Sequence, residues 1–159
     1  MRDGVISIED PRESDIVELL DQHLAHSNLH SLPEDVHALG VEGLVDPAVT
    51  FYCYRVEGEL LGVGALKRLD PRHAEIKSMH TAARARRRGI ARAMVEHLVS
   101  AARERGFERL SLETGAQDAF APARSLYAAV GFTPCGTFGD YGSRPNSTFM
   151  TMRLVGRDP

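Results

Sequence analysis

Apolar positions along the chain change their period several times, and each change marks an element. Residues 5–9 read as a short first strand. Asp10-Pro11-Arg12-Glu13 then offers a cap, a proline at the first helical position and a glutamate three residues after the cap. Ile16, Leu19, Leu20 and Leu24 follow at helical spacing and predict a first helix running to about His26. Pro33, Gly40 and Gly43 break residues 27–46 into a loop with a short second helix at 34–39. Val49–Val56 is rich in β-branched and aromatic residues, and Glu57-Gly58 turns it into a partner strand at 60–69. Asp70-Pro71-Arg72 makes the next turn, and His73–Thr81 is the fourth strand. From Ile90 the spacing returns to helical, with Ile90, Ala93, Met94, His97, Leu98 and Ala101 on one face and Gly106 as the stop. Residues 109–114 alternate Leu110 and Leu112 inward as strand five. A last helix is expected at 122–130, followed by paired strands at 132–138 and 148–154.

This order, β-α-α-β-β-β-α-β-α-β, predicts an α/β chain whose mixed sheet carries helices on both faces. With 159 residues, no internal repeat and no linker-like tract, one domain spanning 1–159 is expected. The hydrophobic share of 43% and charged share of 26% fit a globular chain. A net charge of −3 argues against a general nucleic-acid binder. No apolar run reaches membrane-span length and no signal-peptide core is visible, so a cytoplasmic protein without membrane partners is expected. Cys53 sits in an apolar strand and reads as core, whereas Cys135 beside Gly136 reads as a structural thiol or a pocket lining. The two make neither a disulfide framework nor a metal pattern, and no metal site is expected.

Charge is uneven along the chain. Arg84, Arg86, Arg87, Arg88 and Arg92 crowd into nine residues between strand four and the helix that opens at Ile90. A basic, glycine-containing loop leading from a strand into a helix is suited to anions. The first turn of a helix has N–H groups without intrahelical partners, and the peptide dipoles leave partial positive charge there. Gly89 lets the backbone approach a ligand, and the arginines offer charge matched to phosphate oxygens. The loop is not a Walker A sequence, because no Gly-Lys-Ser/Thr is present, and it lacks the G-x-G-x-x-G spacing of dinucleotide sites. A pyrophosphate cradle and a solvated basic surface loop both satisfy these residues.

Arg86-Arg87-Arg88-Gly89-Ile90-Ala91 resembles motif A of the GCN5-related N-acetyltransferases, the GNAT family, usually Arg/Gln-x-x-Gly-x-Gly/Ala. Ala74-Glu75-Ile76 lies where several members have a strand-borne glutamate, and the run from Ala123 to Phe132 resembles motif B, A-x-x-L-Y-x-x-x-G-F. The resemblance covers about 74–132. It departs from the family pattern at Phe120, where many members carry an asparagine, at Ala83 in place of a frequent proline, and at Ala91 in place of glycine.

The resemblance implies a single-domain GNAT fold: a central sheet of about six to seven strands in which strands four and five splay apart, with helices on both faces. It implies acetyl-CoA as cosubstrate. Its pyrophosphate would be held by Arg86, Arg87, Arg88, Gly89, Ile90, Ala91 and Arg92, and its pantetheine arm would lie along Met79, His80 and Thr81. A strand-four N–H near 79–81 would meet the oxyanion. Glu75 is implied as the base that deprotonates the acceptor amine, since a carboxylate among apolar residues is pushed toward basicity at neutral pH. The other reading of Glu75 is a carboxylate paired with a nearby lysine or arginine. Tyr127 is implied as the acid that protonates the departing thiolate, against the alternative of a ring that only packs. His80 is a secondary candidate base, and His97 reads as a core histidine. His23, His26, His30 and His37 lack the spacing of a zinc site, and His30 or His37 is a candidate substrate contact or a surface residue.

The activity implied is acetyl transfer to the primary amine of a small molecule. Asp140 and Arg144, in a polar segment at the expected rim of the acceptor pocket, hint at an amino-acid-like acceptor. Acetylation of a protein lysine or N-terminus, and a non-catalytic acyl-CoA-binding module, are the competing readings. The assembly is expected to be a monomer or homodimer.

Overall fold

The computed structural model describes residues 4–30, 41–138 and 146–154, with the side chains of 23–30 left aside. Seven strands form one sheet in the order β1-β2-β3-β4-β5-β7-β6. They are β1 (Val5–Ile8), β2 (Val49–Val56), β3 (Glu59–Asp70), β4 (His73–Thr81), β5 (Arg109–Gly115), β6 (Thr133–Cys135) and β7 (Ser147–Arg153). Every pairing is antiparallel except β4 with β5. That exception follows from the connection, because helix α3 (Ile90–Glu104) crosses over between the two strands. The mixed sheet expected from the pattern is therefore present.

Helices cover both faces. On one, α3 and α4 (Ala121–Val130) bury Met94, Leu98 and Tyr127 against Ala74, Ile76, Leu110 and Leu112. On the other, α1 (Ser14–His30) and α2 (Val41–Leu44) pack Ile16, Leu20 and Leu44 onto Phe51, Cys53, Val63 and Ala65. Period-two alternation along the strands produces this division. Cys53 is fully buried, and its thiol is pushed up to about 12 by burial, as a core cysteine requires. Cys135 is half-buried on β6, and burial raises its thiol as well. No helix among the described residues is long and apolar enough to cross a membrane.

Some local expectations need correction. Asp10 does not cap the first helix. It closes a turn instead, with Glu13 N–H donating to the Asp10 carbonyl at 3.2 Å and Arg12 N–H to its carboxylate at 2.9 Å. The helix begins at Ser14, because the Asp10 side chain satisfies the turn before any helical bond forms. The expected helix at 34–39 lies outside the described residues, whereas a short α2 appears at Val41–Leu44. The buried stripe of α3 is rotated: Ile90, Met94, Val95, Leu98, Val99 and Ala102 are buried, and Ala93, His97 and Ala101 only flank it. The His97 ring meets Tyr52 edge-on at 5.2 Å. Strand β6 keeps only Thr133–Cys135 of the expected 132–138, and its Pro134 is tolerated because β6 is an edge strand.

A bulge in β4 shapes the centre of the sheet. Val63 faces His80 and Ala65 faces Lys77, so Ser78 and Met79 together oppose Gly64 alone. Ser78 carries the bulge at φ 57°. Gly64 leaves room for it: a Cβ there would stand 2.8 Å from Met79 Sδ and 2.9 Å from Met94 Cγ. Gly64→Ala is therefore expected to destabilise the fold by about 1–3 kcal/mol through overpacking. The check is a urea midpoint that falls at unchanged slope.

Candidate active site

The β4–β5 ladder runs only from His73↔Arg109 to Ile76↔Leu112. Beyond it β4 continues to Thr81, held by β3, and β5 continues to Gly115, held by β7. Each strand thus follows its other neighbour, and the sheet opens into a wedge at the C-terminal ends of the two parallel strands. The bulge at Ser78–Met79 lies on one wall. The Ser78 hydroxyl is buried and has no hydrogen-bond partner among the described residues. Along this wall Met79, His80 and Thr81 are half-buried and lie beyond the last β4–β5 rung.

The basic loop stands where β4 leaves this wedge. A 3-10 turn at Ala83–Ala85 leads to Arg86, and Gly89 is the N-cap of α3 at φ 79°. Ala93 N–H donates to the Gly89 carbonyl at 3.0 Å, so the N–H groups of Ile90, Ala91 and Arg92 have no intrahelical acceptor. Arg87 also sits in the left-handed region, at φ 65°, a conformation that costs a non-glycine residue about 1 kcal/mol or more. Arg87 and Gly89, with one residue between them, thus both take left-handed backbone just before the helix. Gly89 is needed for its conformation rather than for space within the protein, since a Cβ there would meet nothing within 4 Å.

The basic cluster divides in three dimensions. Arg86, Arg87 and Arg88 are exposed. Arg84 belongs elsewhere, because its Nε donates to Glu59 at 2.9 Å and its NH2 to the Leu60 carbonyl at 2.9 Å. Arg92 is drawn toward Glu96 one turn along the helix, at 3.3 Å. Ile90 buries its side chain against the core beside Gly62, which leaves only its backbone N–H for a ligand.

Glu75 and Tyr127 approach the wedge from different layers. Glu75 is 2% exposed on β4, one rung before the ladder ends, and its carboxylate lies 3.4 Å from Lys77 Nζ. The paired reading of Glu75 is thus present in the structure. Tyr127 comes from α4 on the other face, with its ring edge-on to Phe132 at 5.9 Å. Burial pushes its phenol well above the ordinary range, and the charge of Glu113 adds to that push. It therefore stays protonated at neutral pH, as a proton donor must. The substitution at Phe120 costs no tether: its ring lies over Gly115, and Arg124 holds the β5–α4 connection by donating to the carbonyls of Gly115 at 2.7 Å and Gln117 at 2.9 Å.

A polar group on the α1 side of the sheet had escaped the sequence reading. His73 Nε2 lies 2.6 Å from Ser111 Oγ, which lies 2.9 Å from Thr151 Oγ1. Burial lowers the His73 imidazole below its ordinary value. Glu113 accepts from Ser147 at 2.5 Å. Period-two spacing does put His73, Glu75 and Lys77 on one face, but only the β5 and β7 registers reveal that Ser111, Glu113 and Thr151 join them. Asp140, Arg144, His37 and the side chain of His30 lie outside the described residues.

The split parallel pair and the helix start beside it frame the candidate site. Residues 14–132 match the model of the acetyltransferase (GNAT) family. The chain is 49% identical over 149 residues to YsnE of Bacillus subtilis (strain 168), named an uncharacterized N-acetyltransferase, covering 94% of this chain and 99% of that one. It is 40% identical to YedL of Escherichia coli (strain K12), also named an uncharacterized N-acetyltransferase, over 94% of each. A GNAT family acetyltransferase from Elizabethkingia anophelis with acetyl-CoA bound superposes with a TM-score of 0.71 at 16% identity, covering 97% of this chain and all of that one. The chain belongs to the GNAT acetyltransferase family and is an acyltransferase.

Proposed function

We propose that this acyltransferase, acting as one domain, moves the acetyl group of acetyl-CoA to the primary amine of a small, amino-acid-like molecule. The observation that carries this reading is the wedge between β4 and β5 with the α3 N-terminus at its edge. The residues fit the group: the N–H groups of Ile90, Ala91 and Arg92 and the side chains of Arg86, Arg87 and Arg88 would hold its pyrophosphate. The backbone of Met79, His80 and Thr81, beyond the last β4–β5 rung, would hold its arm as an added strand. Acetyl-CoA, when bound, supplies the activated thioester. Glu75 would take the proton of the attacking amine, directly or through water, and Tyr127 would give a proton to the departing sulfur. A backbone N–H near 79–81 would bear the charge that develops on the carbonyl oxygen.

Acetyl-CoA is expected to raise the melting temperature, because a ligand bound only to the native state at a hundredfold excess over Kd adds about 2.7 kcal/mol. Gly89→Asp should cancel this shift. Aspartate tolerates the left-handed conformation better than most residues and brings a negative charge against the pyrophosphate. Gly89→Asn, matched in shape but neutral, should keep more of the shift. An unchanged wild-type melt at millimolar acetyl-CoA would reject the reading.

A further inference from the structure

The last β4–β5 rung is Ile76↔Leu112, and both side chains belong to the core under α3 and α4. The next residue on each strand is charged. Lys77 follows on β4 and Glu113 on β5, so both turn to the opposite face, where α1 lies. They stand on the two lips of the wedge where it begins to open. Lys77 is placed firmly: its side chain is 9% exposed, its Cα partner is Ala65 in the α1-side core, and its ammonium lies 3.4 Å from Glu75. The Ser147 hydroxyl orients the Glu113 carboxylate from β7. Among the described residues, uncharged polar groups on this face include the hydroxyls of Ser111, Ser147 and Thr151 and the half-buried His73, whose imidazole burial lowers below its ordinary value.

We propose that Lys77 and Glu113 select a zwitterionic acceptor, an α-amino acid, with its carboxylate bound by Lys77 and its amino group held on the Glu113 side of the wedge. The proposal rests on the acetyltransferase reading above and names its substrate class. An α-amino acid presents opposite charges two bonds apart, and two lips of opposite charge can receive both in one orientation only. That orientation directs the amine into the opening, where the thioester would lie. A simple alkylamine meets a different field. Its ammonium gains from Glu113, but it carries no anion for Lys77, so that lip contributes nothing to its binding. Desolvation sharpens this contrast, because a charge-assisted bond to a buried cation is stronger than one in water.

The test is a matched series: an α-amino acid, its methyl ester and its decarboxylated amine, each assayed by release of CoA thiol. Removing the carboxylate should lower kcat/KM by about 10- to 100-fold, the range for losing a hydrogen bond to a charged group. In Lys77→Met that preference should collapse toward one, through a fall in kcat/KM that is larger for the amino acid than for the amine, and Lys77→Arg should restore part of it. Glu113→Gln should raise KM for the amino acid and the amine together. Equal wild-type kcat/KM across the series would overturn the proposal without any variant, as would a Lys77→Met enzyme that still prefers the amino acid. The melting shift with acetyl-CoA separates the two levels. If the shift is present and amines are acetylated without this preference, only the acceptor assignment fails. If acetyl-CoA neither shifts the melt nor is consumed with any amine, the acetyltransferase reading fails with it.

Discussion

Replacing Tyr127 with phenylalanine is expected to lower kcat by roughly 10- to 1000-fold while acetyl-CoA binding hardly changes. The substitution keeps the ring that packs edge-on against Phe132 and removes only the hydroxyl. Binding should persist because the α3 N-terminus and its arginines lie at the other end of the proposed cofactor path. The pH dependence follows from the role. Burial keeps the phenol protonated well above its ordinary range, so wild-type activity should not decline through loss of this proton near pH 10. Thiolate leaves more readily without help at high pH, so the defect of Tyr127→Phe should shrink there. Full turnover by the variant at neutral pH, with chemistry demonstrably rate-limiting, would make Tyr127 a packing residue and leave the proton to water.

The second large effect is expected at Glu75, where stability and catalysis are entangled. Both Glu75 and Lys77 are almost entirely out of water, with 3.4 Å between carboxylate and ammonium. Taking one charge from such a pair costs about 3 kcal/mol, because the other was desolvated in the expectation of its partner. Glu75→Gln should therefore lower the urea midpoint as well as kcat, the latter by about 10²- to 10⁴-fold if the carboxylate is the base. High pH should reduce the kinetic defect, since free amine then needs no base. Glu75→Gln combined with Lys77→Met removes both charges and should recover stability, as replacements of whole buried pairs often do. Catalysis should remain low in the double variant. Recovery of turnover along with stability would show that Glu75 serves Lys77 and the fold rather than the amine.

Much of the architecture was legible in the periodicity of the chain. The strands, the α3 crossover and the motif at Arg86–Ala91 depend on local spacing, and local spacing survives folding. The errors cluster where a side chain has a competing local partner. Asp10 satisfies a turn and delays the helix. Arg84 shows the same limit in the basic cluster. It is adjacent in sequence to the other arginines, yet a hydrogen bond to Glu59, 25 residues away, removes it from the loop.

The sequence by itself determined which residues alternate, where α3 begins and that a glycine precedes it. It also determined the family, through motifs whose residues are neighbours in the chain. Only the tertiary structure decided where the β4–β5 ladder ends and therefore which side chains stand on the lips of the wedge. That rung depends on β5 following β7 while β4 follows β3 through a bulge seated over Gly64. Pairings between strands 36 residues apart leave no periodic mark in either strand, so the placement of Lys77 and Glu113 just beyond the last rung becomes visible only when the sheet is assembled.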